Sequence, residues 1–174
     1  MQKRDLGLLV AGAALALDQG SKLFFLYSLG LASWATHCGE ASARAFALLP
    51  FFNLRMVWNC GISLGLFQFH SESGKVFIAT FVMIASGIVG WWLWSAKSRW
   101  AAAGLGLVLG GALGNLIDRL VYYGQVADFF EFHAFGYSFY VFNVADAAIT
   151  IGACILLYEW LLKPEAPTVT GQEE

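Results

Sequence analysis

Charge is the scarcest property of this sequence. Only 13% of its 174 residues are Asp, Glu, Lys or Arg, where a soluble domain carries about 25%. With 59% hydrophobic residues and a mean hydropathy of +0.64, that shortage points to a bilayer as solvent. The net charge of −2 offers no basic surface for nucleic acid. Cysteine is rare: Cys38, Cys60 and Cys154 form no C-x-x-C pair and no metal-ligand spacing. His37, His70 and His133 stand far apart. Metal catalysis is therefore not expected. The length allows one domain, read here as residues 1–163, with a polar, disordered tail over 164–174.

Four apolar stretches remain once these classes are set aside. Crossing about 30 Å of hydrocarbon takes roughly 20 helical residues. The candidate spans run from Leu6 to Leu29, Val76 to Ala96, Trp100 to Tyr123 and Phe142 to Leu162. The expected fold is a membrane protein, mainly α, with four transmembrane helices. Lys3, Arg4, Lys97, Arg99 and Lys163 all flank the same ends of these spans. The positive-inside rule then places both termini in the cytoplasm. A cleavable signal peptide competes for residues 1–16, ending at Ala14-Leu15-Ala16. Apolar character resumes at Leu23, however, and cleavage would break up the Asp18/Lys22 pair.

Between spans one and two, Leu54, Met56 and Trp58 alternate with Asn53, Arg55 and Asn59, the period of a strand. The segment Phe132–Phe142 is aromatic and centred on Gly136, suited to a hairpin or to lying flat on the membrane. A small outer sheet and an interfacial loop are expected there.

Ionisable groups in hydrocarbon are costly and mark function by default. At about 1.5 Å per residue, Asp18 and Lys22 lie deep along span one, close to its outer end. Asn115, Asp118 and Arg119 lie roughly 22 to 28 Å along span three by the same rise. Asn143 and Asp146 open span four. All converge on the outer third of the bilayer. Asp128 sits in the short outer connection, near Asp146. Two close carboxyls share one proton. One can then activate water while the other donates to a carbonyl, the chemistry of an aspartic peptidase. Spacing alone does not force this pair. Asp18, Asp118 and Glu131 are rivals; Asp118 reads equally as a structural ion-pair partner, Asp18 more readily as a partner of Lys22 or Arg119, Asp128 also as a solvated loop acid and Asp146 as a helix cap. A small proton- or ion-translocating protein built on the same carboxylates is the alternative. The inner parts of spans two and three carry no ionisable residue, which weighs against it.

Five motifs decide between these readings. Asp18-Gln19-Gly20-Ser21-Lys22, Asn59-Cys60-Gly61, Gly114-Asn115-Leu116-Ile117-Asp118-Arg119, Val126-Ala127-Asp128-Phe129 and Phe142-Asn143-Val144-Ala145-Asp146 occur in order. Together they resemble the bacterial lipoprotein signal peptidase (signal peptidase II) family over nearly the whole chain to Lys163. The resemblance implies an aspartic endopeptidase of the bacterial inner membrane with its site near the periplasmic face. It implies removal of the signal peptide from diacylglyceryl-modified prolipoproteins, with the cut before the lipidated cysteine. It carries the catalytic dyad onto Asp128 and Asp146. Asn59, Gly61, Asn115, Arg119 and Asn143 become substrate-positioning residues, and Asp18, Lys22 and Asp118 supporting ones. It implies an extracytoplasmic β-cradle in the Phe52–Phe69 region, no metal or cofactor, membrane lipid as neighbour and globomycin-type inhibitors as ligands. The chain is expected to act as a monomer.

Two departures from the family pattern stand out. Ser63 and Leu64 follow Ile62 where a small residue and then Phe are common, and the Ser33–Arg44 segment is long. Both bear on the shape of the cradle rather than on the dyad. Cys38 and Cys60 both fall in the outer segment, where an oxidising compartment permits a disulfide. Cys154 reads as a small apolar residue of span four.

Overall fold

The computed structural model describes residues 1–33, 39, 41–61, 71–135 and 137–162. Four helices form a bundle: α1 (Lys3–Leu23), α2 (Glu72–Trp94), α3 (Arg99–Val121) and α4 (Val144–Leu162). Each is long and apolar enough to cross a membrane. A π-helical turn, Phe24–Ser28, extends α1. Ser71 caps α2 by accepting from Gly74 N, and Ser98 caps α3 by accepting from Ala101 N. Such caps satisfy amides that a helix end leaves free.

Helix α3 is the centre of the bundle. Of its most apolar stretch 56% is buried inside the protein, against 17–22% in the other three helices. Its glycines permit this. A Cβ on Gly111 would strike the Ala145 carbonyl of α4, and one on Gly114 would strike the Asp18 carboxylate of α1. Close backbone approach at small residues is how helices pack where lipid removes the hydrophobic drive. Outward, the helices expose Leu9, Phe77, Phe81, Ile84, Leu157 and Trp160, surfaces that hydrocarbon solvates.

At one end of the bundle lies an antiparallel sheet of β1 (Phe46–Leu49), β2 (Phe52–Asn59), β3 (Val126–Ala134) and β4 (Tyr137–Phe142), paired in that order. The expected cradle region supplies only β2; residues 62–69 lie outside the described residues. The rest of the sheet is built from Phe46–Leu49 and from the chain between α3 and α4. Asp128 therefore sits on a strand, not in a loose connection, because β3 can pair on both sides. Of the two readings for Phe132–Phe142, the hairpin is the one found. Leu26, Leu31, Leu54, Met56, Ala127 and Phe129 form the core beneath the sheet.

The period-two pattern of β2 also needs correction. Leu54 and Met56 are buried, but the next inward residue is Asn59, with Trp58 only half-buried. The cause is a bulge: Leu54 faces Phe130 while Val57 already faces Asp128, so β2 spends one extra residue there. A bulge re-aims the side chains that follow it. At the far end, β4 passes into α4 through Asn143 alone.

Candidate active site

The two predicted dyad residues reach one place from different elements. Asp128 comes from β3 and is 1% exposed. Asp146 lies in the first turn of α4 and is half-buried. Asn143 holds both. Its side-chain amide donates to Asp128 Oδ1 at 2.6 Å, and its backbone N–H donates to Asp146 Oδ2 at 3.3 Å. Asn143 Oδ1 in turn accepts from Asp146 N at 2.9 Å. This reciprocal pair is a capping box. The cap reading and the site reading of Asp146 are therefore one arrangement.

The second oxygen of each carboxylate has its own amide. Asn59, turned inward by the bulge, donates to Asp128 Oδ2 at 2.9 Å. Its own carbonyl accepts from Gly61 N at 2.9 Å. Asn115 of α3 donates to Asp146 Oδ1 at 2.9 Å, and Asn115 Oδ1 accepts from Asn143. Among the described residues, the side-chain hydrogen bonds these two carboxylates accept all come from neutral amides. Burial, and next the charge of Asp146, push the Asp128 carboxyl well above its ordinary range.

Behind the dyad lies a charged layer. Lys22 contacts Asp18 at 2.8 Å, Asp118 at 2.9 Å and Asn115 Oδ1 at 3.2 Å. Gln19 donates to both acids and to the Gly114 carbonyl. The remaining contacts of these acids explain their position. Asp18 Oδ1 accepts from the backbone N–H of Ala145, and Asp118 Oδ2 from that of Ala127. Each supporting acid thus grips the residue immediately before a dyad aspartate. Asp18 pairs with Lys22, not with Arg119.

Arg119 donates to the Asn115 carbonyl at 3.1 Å and to the Gly61 carbonyl at 2.9 Å. Its Nε is buried and has no hydrogen-bond partner among the described residues. Gly61 joins the site through its backbone alone. Every predicted site residue is thus part of one connected network. Gln19 had no role in the sequence reading, although a glutamine inside an apolar span is itself a signal. The Ala127 and Ala145 amides were invisible, because a backbone N–H carries no sequence mark.

Glu131, a rival acid, is turned away from the dyad into a group of its own. It accepts from Asn53 at 3.0 Å and Ser138 at 2.7 Å, with Arg55 at 3.3 Å. Cys60 is disulfide-bonded and Cys154 is free and exposed. Cys38, Ser63 and Leu64 lie outside the described residues.

Comparison with known proteins identifies the family and the fold. A family model described as Signal peptidase (SPase) II matches residues 10–162. A lipoprotein signal peptidase of Methylobacterium sp. (strain 4-46) is 44% identical over 159 residues, covering 91% of this chain and 90% of that one. One from Methylocella silvestris is 39% identical over 178 residues, covering 99% and 95%. A solved bacterial membrane enzyme superposes with a TM-score of 0.64 at 25% identity, covering 97% of this chain and 93% of its own.

Proposed function

This chain belongs to the signal peptidase II family, and from that premise we infer that it removes signal peptides from prolipoproteins by aspartic catalysis at Asp128 and Asp146. It is a bacterial integral membrane peptidase. The ion-translocating alternative has no support from the family. The observation that carries the aspartic reading is the single residue, Asn143, that bonds both carboxylates among neutral donors.

The chemistry follows from one shared proton. The ionised carboxylate takes a proton from water as the water oxygen attacks the scissile carbonyl carbon. The protonated carboxyl, for which buried Asp128 is suited, gives its proton to the carbonyl oxygen. Collapse of the tetrahedral intermediate breaks the C–N bond, and a dyad proton goes to the leaving nitrogen. Arg119 Nε, buried and without a partner among the described residues, is the donor suited to hold a freed substrate carbonyl. No cofactor enters this scheme.

The substrate carries a diacylglyceryl group on the cysteine that follows the scissile bond. Its anchor sets the bond at the membrane interface, where the dyad lies. Lys3 donates to the Lys97 carbonyl, and Arg4 sits 4.5 Å over the Trp94 ring, both at the end of the bundle away from the dyad. By the positive-inside rule a cytoplasmic side is expected at that end, which supports a site at the periplasmic face of the inner membrane. Globomycin-type peptides are expected to occupy the site. The protein is expected to act as a monomer in the surrounding lipid.

The test is cleavage of a lipid-modified prolipoprotein in detergent by wild type, Asp128→Asn and Asp146→Asn. Each variant is expected to lose at least about 1,000-fold in kcat, and the double variant little more, since the two act as a unit. Wild-type rate in either folded variant overturns the assignment.

A further inference from the structure

The end of the bundle away from the dyad carries a site of its own. The first turn of α1, the end of α2 and the turn into α3 enclose an open cavity of 490 Å³, whose lining includes Gln2, Lys3, Arg4, Trp94, Ala96 and Arg99. Three of these are cations, and no Asp or Glu lines the cavity. The peptidase chemistry uses none of them, so this site stands apart from that reading.

Little in the protein neutralises these cations. Lys3 Nζ donates to the Lys97 carbonyl at 2.7 Å, a neutral acceptor. Arg99 is exposed and makes no hydrogen bond or ion pair among the described residues. Arg4 alone meets an acid, Asp5, at 3.5 Å, while its guanidinium rests 4.5 Å over the Trp94 ring. The helix ends add to this field. Gln2 gives α1 no side-chain cap, so the first-turn amides and the positive end of the α1 dipole lie at the same cavity. An anion finds donors here from two helices and the turn between α2 and α3.

Depth identifies the anion. Trp91, Trp92, Trp94 and Trp100 are exposed around this end, and exposed tryptophans mark the level of the lipid headgroups. The cavity therefore opens where phospholipid phosphates lie. Basic pockets between membrane helices hold such headgroups. We propose that this cavity binds the phosphate headgroup of an anionic phospholipid, with Lys3 and Arg99 meeting the phosphate. A zwitterionic headgroup fits less well, because its ammonium finds no acid in the lining. A phosphate free in water fits less well too, because Trp94 and Ala96 give the cavity an apolar side along which acyl chains run back into the bilayer. The bound lipid ties the start of α1 to the α2–α3 turn, adding to the Lys3–Lys97 bond and the Arg4–Trp94 contact.

The experiment titrates the full chain in uncharged detergent with dioleoylphosphatidylglycerol, dioleoylphosphatidylcholine or glycerol 3-phosphate and reads apparent affinity from the rise in melting temperature. Wild type is expected to bind the anionic lipid at least about tenfold more tightly than the zwitterionic one, as two or more cations near a headgroup provide. Arg99→Gln is expected to weaken it about fivefold and the double variant Lys3→Gln/Arg99→Gln about 25-fold, at the usual contribution of one cation at a lipid surface. Arg44→Gln removes the same charge from an exposed position beside β1 and is expected to change nothing. Equal affinity of wild type for the two lipids overturns the proposal, and so does wild-type affinity in the double variant. An equal loss in Arg44→Gln overturns it as well, since attraction would then be diffuse. Glycerol 3-phosphate acting as strongly as the anionic lipid overturns the lipid as source. Should the double variant not fold, Arg99→Gln against Arg44→Gln decides by the same criteria.

Discussion

Four aspartates occupy one end of the helix bundle, in two pairs with opposite surroundings. Asp18 and Asp118 share Lys22 and Gln19. Asp128 and Asp146 receive amides from Asn59, Asn115 and Asn143. The pairs are linked through Asn115, which accepts from Lys22 and donates to Asp146. What separates them is the cation. A lysine within 3 Å compensates carboxylate charge and fixes it in place. Neutral amides orient carboxylates but leave the like-charge conflict, which a shared proton relieves. Residue type is the same in both pairs, so the partners are what favours the amide-held pair as the proposed dyad.

The comparison breaks most severely at Lys22. Lys22→Met leaves two buried acids without their cation, and losing one partner of a buried pair costs about 3–5 kcal/mol. A large drop in melting temperature in detergent is expected, with release of the Ala127 and Ala145 amides and loss of activity together. A variant that melts like wild type would show that the amides and Gln19 suffice to hold the acids.

Gly114→Ala is expected to be next. Its Cβ would meet the Asp18 carboxylate, and overpacking of this kind costs about 1–3 kcal/mol. The same melting assay reads it. Activity should fall with stability, since Asp18 holds the backbone beside Asp146.

Asn59→Ala sharpens the other side of the comparison. The Asn59 amide favours the ionised form of Asp128. Without it the dyad proton is held to higher pH, so the basic limb of the kcat/KM profile should move upward. A fall of about tenfold in kcat, the equivalent of one hydrogen bond of about 1.4 kcal/mol, should accompany it. A downward move of that limb would contradict the geometry.

The dyad also carries a pH signature in stability. The folded protein holds the Asp128 proton more tightly than the unfolded chain does. Its protonated form therefore favours folding at pH below the unfolded value of about 4, and that contribution is lost as pH rises through the folded value. Asp128→Asn removes the loss. Its melting temperature relative to wild type should thus rise between about pH 5 and pH 8. The smallest effect is expected at Glu131→Gln, which keeps the Asn53 and Ser138 contacts and lies outside both pairs. Its activity should stay within about twofold of wild type, since the buried Glu131 bonds to neither pair and sites without shared partners act independently.

Much of this was readable in advance, but at different levels. The four spans follow from apolar length, because a bilayer imposes it. The shared depth of Asp18, Lys22, Asn115, Asp118 and Asp146 follows from helical rise. The choice of Asp128 over Asp18 and Asp118 did not follow from spacing; it needed the ordered motifs. The alternation of β2 was legible at Leu54 and Met56 and misleading at Trp58 and Asn59. The bulge is set by pairing with β3, some seventy residues later in the chain, and nothing local announces it.

The sequence by itself determined a four-span membrane fold with its acids at one level, since periodicity and hydrophobic length are properties of a single segment. Only the tertiary structure decided which acids meet a cation and which meet amides. Lys22 reaches Asp118 from another helix, Asp18 reaches Ala145 across the bundle, and Asn59 reaches Asp128 from a neighbouring strand. These contacts join distant segments, and their energies exist only once α3 has brought α1, α4 and the sheet together.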